Sequence, residues 1–269
     1  MTASKPRRGY ADGPFGQVHY RMLGDGAPLV LLHQAPMTSN QFDNVYAPLA
    51  ARGFTAIGID MPGFGLSDTP DFVPGVRDYA QAVPPVLDQL GIARASIVGH
   101  HTGALAATEA AVQFSDRIDA LVINGPLLVS DEDFADFRSG LHQWELGYAA
   151  RPGAAHMVEL FDIRDKLANG AIPPARLSDY VVQALIGDGP FWYGHHAAFT
   201  YRQQEVLPRI TQPTLILTNT GDMIYPHARA AHALCPHFAY AELQGGGVDI
   251  VDEQPEQWAD AVAGFLKGL

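Results

Sequence analysis

The stretch IVGHHTGALA, residues 97–106, is where a run of apolar residues passes into a helix of small ones. Residues 95–99 read as a short buried strand, and residues 102–113 as the helix that follows it. Gly99 and Gly103 stand two residues either side of His101. Glycines at that spacing let a strand and a helix meet in a sharp turn, because no Cβ keeps the backbones apart. The side chain at the centre of such a turn is thrust outward past the end of the strand. Here that side chain is an imidazole.

The same alternation extends in both directions. Residues 29–33 (LVLLH) and 54–60 (FTAIGID) read as strands, with a helical pattern from Ser39 between them that places Phe42, Val45, Tyr46 and Leu49 on one face. Residues 78–90 read as a helix, and residues 120–124 (ALVIN) as a further strand. Near-continuous Val, Ile and Leu strands separated by helices imply a parallel sheet buried on both faces. Ahead of these, the alternating run around residues 16–22 and the Gly-Asp-Gly turn at 24–26 are read as a hairpin.

After Pro126 the rhythm breaks. From Ser130 to about Pro208 the chain reads as consecutive helices, enriched in aromatics and histidine. The α/β alternation then resumes with strands at 213–218 and 238–243 and helices at 227–234 and 255–266. The expected architecture is an α/β core from residues 1–128 and 209–269, with residues 129–208 inserted as a helical cap. That cap would cover the strand C-termini, where open parallel sheets bind their ligands.

Composition narrows the functional classes. The 269 residues are 47% hydrophobic and 17% charged, with a formal net charge of −12. So acidic a chain repels a phosphate backbone, and the only basic cluster is Lys5, Arg7 and Arg8, so no nucleic-acid partner is expected. One cysteine, Cys235, rules out an internal disulfide framework and suits a reducing compartment. The N-terminus shows no apolar leader and no run nears the roughly 18 apolar residues of a membrane span. A cytoplasmic protein acting on a small molecule is the expectation, with no membrane role; oligomeric state is left open.

Taken together, five segments make the chain resemble the α/β-hydrolase fold superfamily. LLHQAP (31–36) resembles the family's His-Gly-x-Pro segment, and DMPGFGLSD (60–68) its Asp-x-Pro-Gly-x-Gly-x-Ser-Asp loop. VGHHTG (98–103) occupies the nucleophile elbow. TGDMIYP (220–226) is similar to the segment carrying the triad acid, and GGGVDIVDEQP (245–255) to the last segment, which carries the triad histidine. The resemblance covers nearly the whole chain. It implies a mostly parallel eight-stranded sheet flanked by helices, with the inserted cap above it.

The resemblance also implies three catalytic residues, of which this sequence keeps one. His101 stands where the nucleophile belongs and Val248 where the histidine belongs; Asp222 matches the acid. A Ser-His-Asp relay cannot be drawn on these positions. Thr102 and Asp249 are one residue out of place, and Thr102 as nucleophile would discard the glycine spacing. Imidazole titrates near neutrality, so His101 is a candidate general acid/base with Asp222 fixing its tautomer. The oxyanion hole asks only for backbone N–H groups, assigned by the resemblance to Ala35 and Thr102. One such donor is worth about 3 kcal/mol of barrier. The competing reading is a catalytically inactive ligand-binding member of the fold; an ordinary serine hydrolase is disfavoured because the elbow holds no serine.

Further candidates for substrate contact are His33, Gln34, His100, Trp144, Trp192, Tyr193, His196 and Val248. For His33 and His100, which stand where the family often has histidine, a structural or supporting role is favoured over direct substrate contact. The cap residues Trp192, Tyr193, His196 and Tyr201 can instead serve cap-to-core packing, and Trp144 and His142 raise the same choice. Gln34 replaces a usual glycine, which narrows the pocket and adds an amide donor. A metal site built from His33, His100, His101 and a cap histidine has no ligand spacing to support it. No metal or cofactor is expected. The aromatic cap (Phe134, Phe137, Trp144, Phe161, Phe191, Trp192, Tyr193) favours an apolar or aromatic carbonyl compound. Hydrolysis, lyase chemistry and cyclisation or isomerisation stay open.

Overall fold

A computed structural model describes residues 5–269. Eight strands form one sheet in the order β1-β2-β4-β3-β5-β6-β7-β8. They are β1 (Arg7–Gly13), β2 (Gly16–Leu23), β3 (Ala27–Leu32), β4 (Phe54–Ile59), β5 (Ala95–His100), β6 (Ile118–Asn124), β7 (Thr214–Asn219) and β8 (Ala239–Leu243). The β1–β2 and β2–β4 pairs are antiparallel and the other five are parallel.

The hairpin lies one turn earlier than the sequence suggests. β1 and β2 reverse between Gly13 and Gly16, whereas the turn at 24–26 leads into β3. β2 does not pair with β3. It pairs antiparallel with β4 (Tyr20 opposite Ile59), and β3 lies on the far side of β4. Both turns carry glycines, and only the strand pairing separates a hairpin from a crossover.

On the strands, alternate residues serve two cores. Val30, Leu32, Ile57 and Ile59 face one side with α2 (Val76–Ala80), α3 (Val83–Gln89) and α4 (Thr102–Gln113). Leu29, Leu31, Phe54 and Ala56 face the other with α1 (Tyr46–Ala51) and the last helix. This period-2 division with both faces buried is why the strands read as continuous apolar runs. The helix expected over 78–90 is two short helices, with Pro84 and Pro85 in the first turn of α3. Proline starts a helix readily there but cannot continue one from upstream. The pattern from Ser39 likewise resolves into a 3₁₀ turn, Ser39–Phe42, before α1.

Between β6 and β7 the chain runs through α5 (Asp131–Ser139), α6 (Leu141–Leu146), α7 (Ala155–Ala168), α8 (Pro174–Leu185), α9 (Tyr193–Thr200) and α10 (Gln203–Val206), with no strand. α11 (Tyr225–Leu234), α12 (Ile250–Glu253) and α13 (Pro255–Lys267) complete the fold. Trp258 of α13 is fully buried, and its indole N–H donates to Asn124 Oδ1 at 2.7 Å, tying the last helix to the end of β6. Among the described residues no helix is long and apolar enough to cross a membrane.

Candidate active site

The turn after β5 has the geometry its glycines imply. His101 adopts φ 49° and ψ −114°, a positive φ at a residue with a side chain. Such a conformation costs on the order of 1–3 kcal/mol and persists only where the surroundings impose it. They do so here by close packing. A Cβ on Gly99 would stand 2.0 Å from the Gly103 carbonyl oxygen, and one on Gly103 would stand 2.1 Å from that of Leu32.

The imidazole of His101 reaches Asp222 on the loop after β7, with Nε2 at 2.7 Å from Oδ2. The carboxylate can only accept, so Nε2 carries the proton and Nδ1 is left as the basic nitrogen. The Asp222 side chain is fully buried, and its Oδ1 accepts from the Ile224 N–H at 3.1 Å. Burial on its own would raise the Asp222 pKa; attraction to His101 and the hydrogen bonds outweigh it and bring the value to about 2.

His101 opens into a cavity of about 460 Å³ between the strand ends and the inserted helices. Gln34, Ala35, Pro36 and Met37 form one wall, with Met223 and Val248 beside them. Helices α6 to α8, together with Phe191 and His195, form the rest. The walls are mainly apolar, from Leu141, Trp144, Leu160, Ile163, Val181 and Phe191 among others. Val248 therefore stands on the cavity wall at the position the resemblance assigns to a histidine.

Gln34 lies 2% exposed, and its side-chain Nε2 has no hydrogen-bond partner although the residue lines the cavity. Its backbone N–H donates to Gln41 Oε1 at 2.9 Å, and Gln41 Nε2 in turn donates to His100 Nδ1. Gln41 thus ties the loop after β3 to the turn after β5, a role with no signature in the sequence. Ala35 lines the cavity, and Thr102 is the first residue of α4, where backbone N–H groups lack intrahelical partners.

Other candidates are placed differently. His33 is fully buried away from the cavity; its Nε2 accepts from the Met61 N–H at 3.0 Å and Nδ1 donates to the Gln34 carbonyl at 2.9 Å. With both nitrogens engaged, it staples two loops together. His100 is also fully buried, and burial followed by the neighbouring His101 holds its pKa well below the usual histidine range. Neither lines the cavity.

Trp192, Tyr193 and His196 do not line it either. Trp192 and His196, four residues apart on one face, meet edge to face at 5.2 Å, and both pack on His142. Tyr201 turns to Glu109, donating to Oε1 at 3.0 Å. The residue of this segment that does face the cavity is His195, between them on the helix. Trp144 is on the wall, its indole N–H donating to Glu159 at 3.0 Å. Among the described residues no group of three or more His, Cys, Asp or Glu side chains is arranged to hold a metal ion.

Two charged residues of the helices between β6 and β7 also face the cavity. Arg164 of α7 lines the cavity, pairs through Nη2 with Asp249, and lies 4.7 Å over the ring of Tyr180. Burial raises the Asp249 pKa, and Arg164 partly offsets that. Asp249 thus points to the inserted helices, consistent with its being one residue out of phase. Glu145 of α6 also lines the cavity, with its side chain 1% exposed and hydrogen-bonded to His195. Charged residues on a helical face otherwise exposed to solvent carry no signal of burial in the sequence.

Comparison with known proteins agrees with this architecture. The family model described as "alpha/beta hydrolase fold" matches residues 27–254. A 2-hydroxy-6-oxononadienedioate/2-hydroxy-6-oxononatrienedioate hydrolase of a Pseudomonas species is 27% identical over 231 residues, 78% of this chain and 77% of that protein. An uncharacterized protein of Mycobacterium tuberculosis is 28% identical over 264 residues, 92% of this chain and 77% of its own length. Among solved structures, an esterase from Exiguobacterium antarcticum superposes with a TM-score of 0.82 at 18% identity, covering 96% of this chain and 98% of its own. E-2-(acetamidomethylene)succinate hydrolase gives 0.81 at 18% identity, covering 97% and 99%. Those two superpositions are likenesses of fold. With the family model spanning most of its length, this chain belongs to the α/β-hydrolase fold superfamily.

Proposed function

We propose that this protein is an α/β-hydrolase-fold enzyme that works by proton transfer without an acyl-enzyme, with His101 as general acid/base and Asp222 as its support. The observation that carries the reading is the 2.7 Å bond from His101 Nε2 to Asp222, made in an elbow without serine and beside Val248. Asp222 holds one tautomer, so Nδ1 is the nitrogen that takes a proton from a bound water or from a carbon next to a carbonyl. Residues 129–208 act as the cap that closes the site from water.

The developing oxyanion would be received by the backbone N–H groups of Ala35 and Thr102. The latter has the positive end of the α4 dipole behind it. The unpartnered amide of Gln34 supplies a further donor on the same wall. A cavity of about 460 Å³ with mainly apolar walls suits a small, largely apolar or aromatic carbonyl compound. Hydrolysis, lyase chemistry and cyclisation or isomerisation all use this same set of groups. The site is taken to need no cofactor, and a cytoplasmic setting fits the single buried cysteine.

The reading is tested with a serine-directed fluorophosphonate and with His101→Ala. The protein is expected to stay unlabelled, and the variant to lose turnover while still binding ligand. Stoichiometric labelling of the native protein, or unchanged turnover in the variant, would overturn it. A variant that alters affinity alone, in a protein that turns nothing over, identifies the inactive ligand-binding member instead.

A further inference from the structure

The cavity holds a second histidine–carboxylate pair. His195 Nδ1 on α9 lies 2.5 Å from Glu145 Oε1 on α6, and both residues line the cavity that His101 opens into. The Glu145 side chain is 1% exposed, and its second oxygen, Oε2, has no hydrogen-bond partner. Glu145 makes no ion pair with lysine or arginine among the described residues; His195 is its one basic partner. A carboxylate buried among apolar residues is costly to a fold, and packing alone gives no reason to put one there. The His195 side chain is 27% exposed, and with Nδ1 held, Nε2 is the nitrogen left free to meet a bound molecule.

From this geometry we infer that His195 is a second proton-transfer residue of the cavity, acting on the substrate from the cap, with Glu145 as its positioning residue. The inference rests on the acid/base reading of His101 and extends it to a two-group mechanism. His101 Nδ1 removes a proton from the carbon beside the carbonyl; the C–H electron pair becomes a C=C bond, and the π pair of the C=O bond moves onto the carbonyl oxygen. His195, as imidazolium, delivers the proton on Nε2 to that oxygen and becomes neutral, with Nδ1–H still donating to Glu145. Return of the two protons in reverse order restores both rings, so the cycle consumes no co-reactant. The titratable and charged groups around the pair are His142 and His196 on α6 and α9, with Arg164 and His101 across the cavity. None of these makes a hydrogen bond to His195.

The test follows exchange of the α-protons of phenylacetone in D₂O by proton NMR, for the native protein and for His195→Gln, Glu145→Gln and His101→Ala. For His195→Gln, kcat is expected to fall about 100-fold, KM to change less than about twofold, and one limb of the pH profile to vanish. Glu145→Gln is expected to fall between this variant and the native protein. A His195→Gln protein with the native rate and pH profile overturns the inference. His101→Ala separates the two readings: if it alone retains exchange, the role of His101 fails and that of His195 stands; if it alone loses exchange, the reverse holds. Diethyl pyrocarbonate mapped by mass spectrometry decides the question without turnover. His195 is expected to be carbethoxylated in the folded protein, severalfold more slowly in Glu145→Gln. His195 left unmodified while the exposed His237 reacts, or modified at the native rate in Glu145→Gln, overturns the inference.

Discussion

His101 and Asp222, 121 positions apart in the chain, meet at 2.7 Å across the ends of the sheet. The carboxylate that a relay histidine at position 248 would have used is bonded instead to the residue in the elbow. Asp222→Asn keeps the shape but accepts through an amide, so the ring loses its fixed tautomer and its charged support. Turnover is expected to fall by about 10²–10⁴, with ligand affinity within a few-fold. Steady-state kinetics on the variant, set beside binding by calorimetry, check this; equal turnover in both proteins would refute it.

The same pair sets a pH dependence of stability. The Asp222 carboxyl titrates at about 2 in the folded protein against 3.8 for the ordinary group. The unfolded chain therefore binds this proton more readily. The contribution is fully present above about pH 4 and is lost as pH falls towards 2. It amounts to on the order of 2 kcal/mol. Urea unfolding from pH 6 down to pH 2 should show the native protein losing that much more stability than Asp222→Asn. Parallel curves for the two proteins would count against it.

The elbow can be challenged by adding one carbon. A Cβ at Gly103 stands 2.1 Å from the Leu32 carbonyl oxygen, which is backbone and cannot swing aside. Gly103→Ala is expected to cost about 3 kcal/mol and to pull α4 away from β3. Chemical denaturation measures the loss. A variant within 0.5 kcal/mol of the native protein, as an unconstrained surface site allows, would show that the turn is not held by this contact.

Asp60 offers a separate test of the loops under the site. Its Oδ1 accepts from the Ser39 N–H at 2.7 Å, and its Oδ2 from the Leu66 N–H at 3.0 Å and from His19 at 2.8 Å. Burial alone would raise the Asp60 pKa; the bond and attraction to His19, with His33 and the Leu66 N–H, together hold it below the ordinary value. Asp60→Leu leaves those buried donors without an acceptor, and a loss of about 3–5 kcal/mol is expected. Thermal or urea unfolding reads it out; a loss below about 1 kcal/mol would mean the loops find other partners.

A rebuilt relay should be possible. Val248 stands on the cavity wall, so His101→Ser combined with Val248→His would place serine, histidine and Asp222 at the family's three positions. The double variant is expected to gain labelling by a fluorophosphonate that neither single variant shows. Labelling of His101→Ser alone would indicate a different base in the cavity.

The sequence by itself determined which segments of the core alternate as strand and helix, where that rhythm stops and where the elbow lies, because each rests on local signals, whereas the pairing of the first strands does not. Apolar runs of strand length alternate with helices, the rhythm stops between β6 and β7, and two glycines flank His101. Asp222 and Val248 were singled out by the resemblance to the α/β-hydrolase fold, through their spacing from Pro226 and Pro255. What it could not settle was which of several equivalent residues face inward. His195 and His196 are neighbours on one helix, and a rotation of about 100° separates one face from the next. Only packing against α6 turned His195 to the cavity and left His196 stacked on His142 and Trp192. For His33 and His100 the sequence favoured a structural role over a pocket one without naming their partners, and those are Met61 and Gln34 for His33 and Gln41 for His100. Arg164, Glu145 and Gln41 gave no warning at all. Their partners stand far off in the chain, His195 at 50 positions from Glu145, His100 at 59 from Gln41 and Asp249 at 85 from Arg164, and burial of a charge is a property of the partner that meets it.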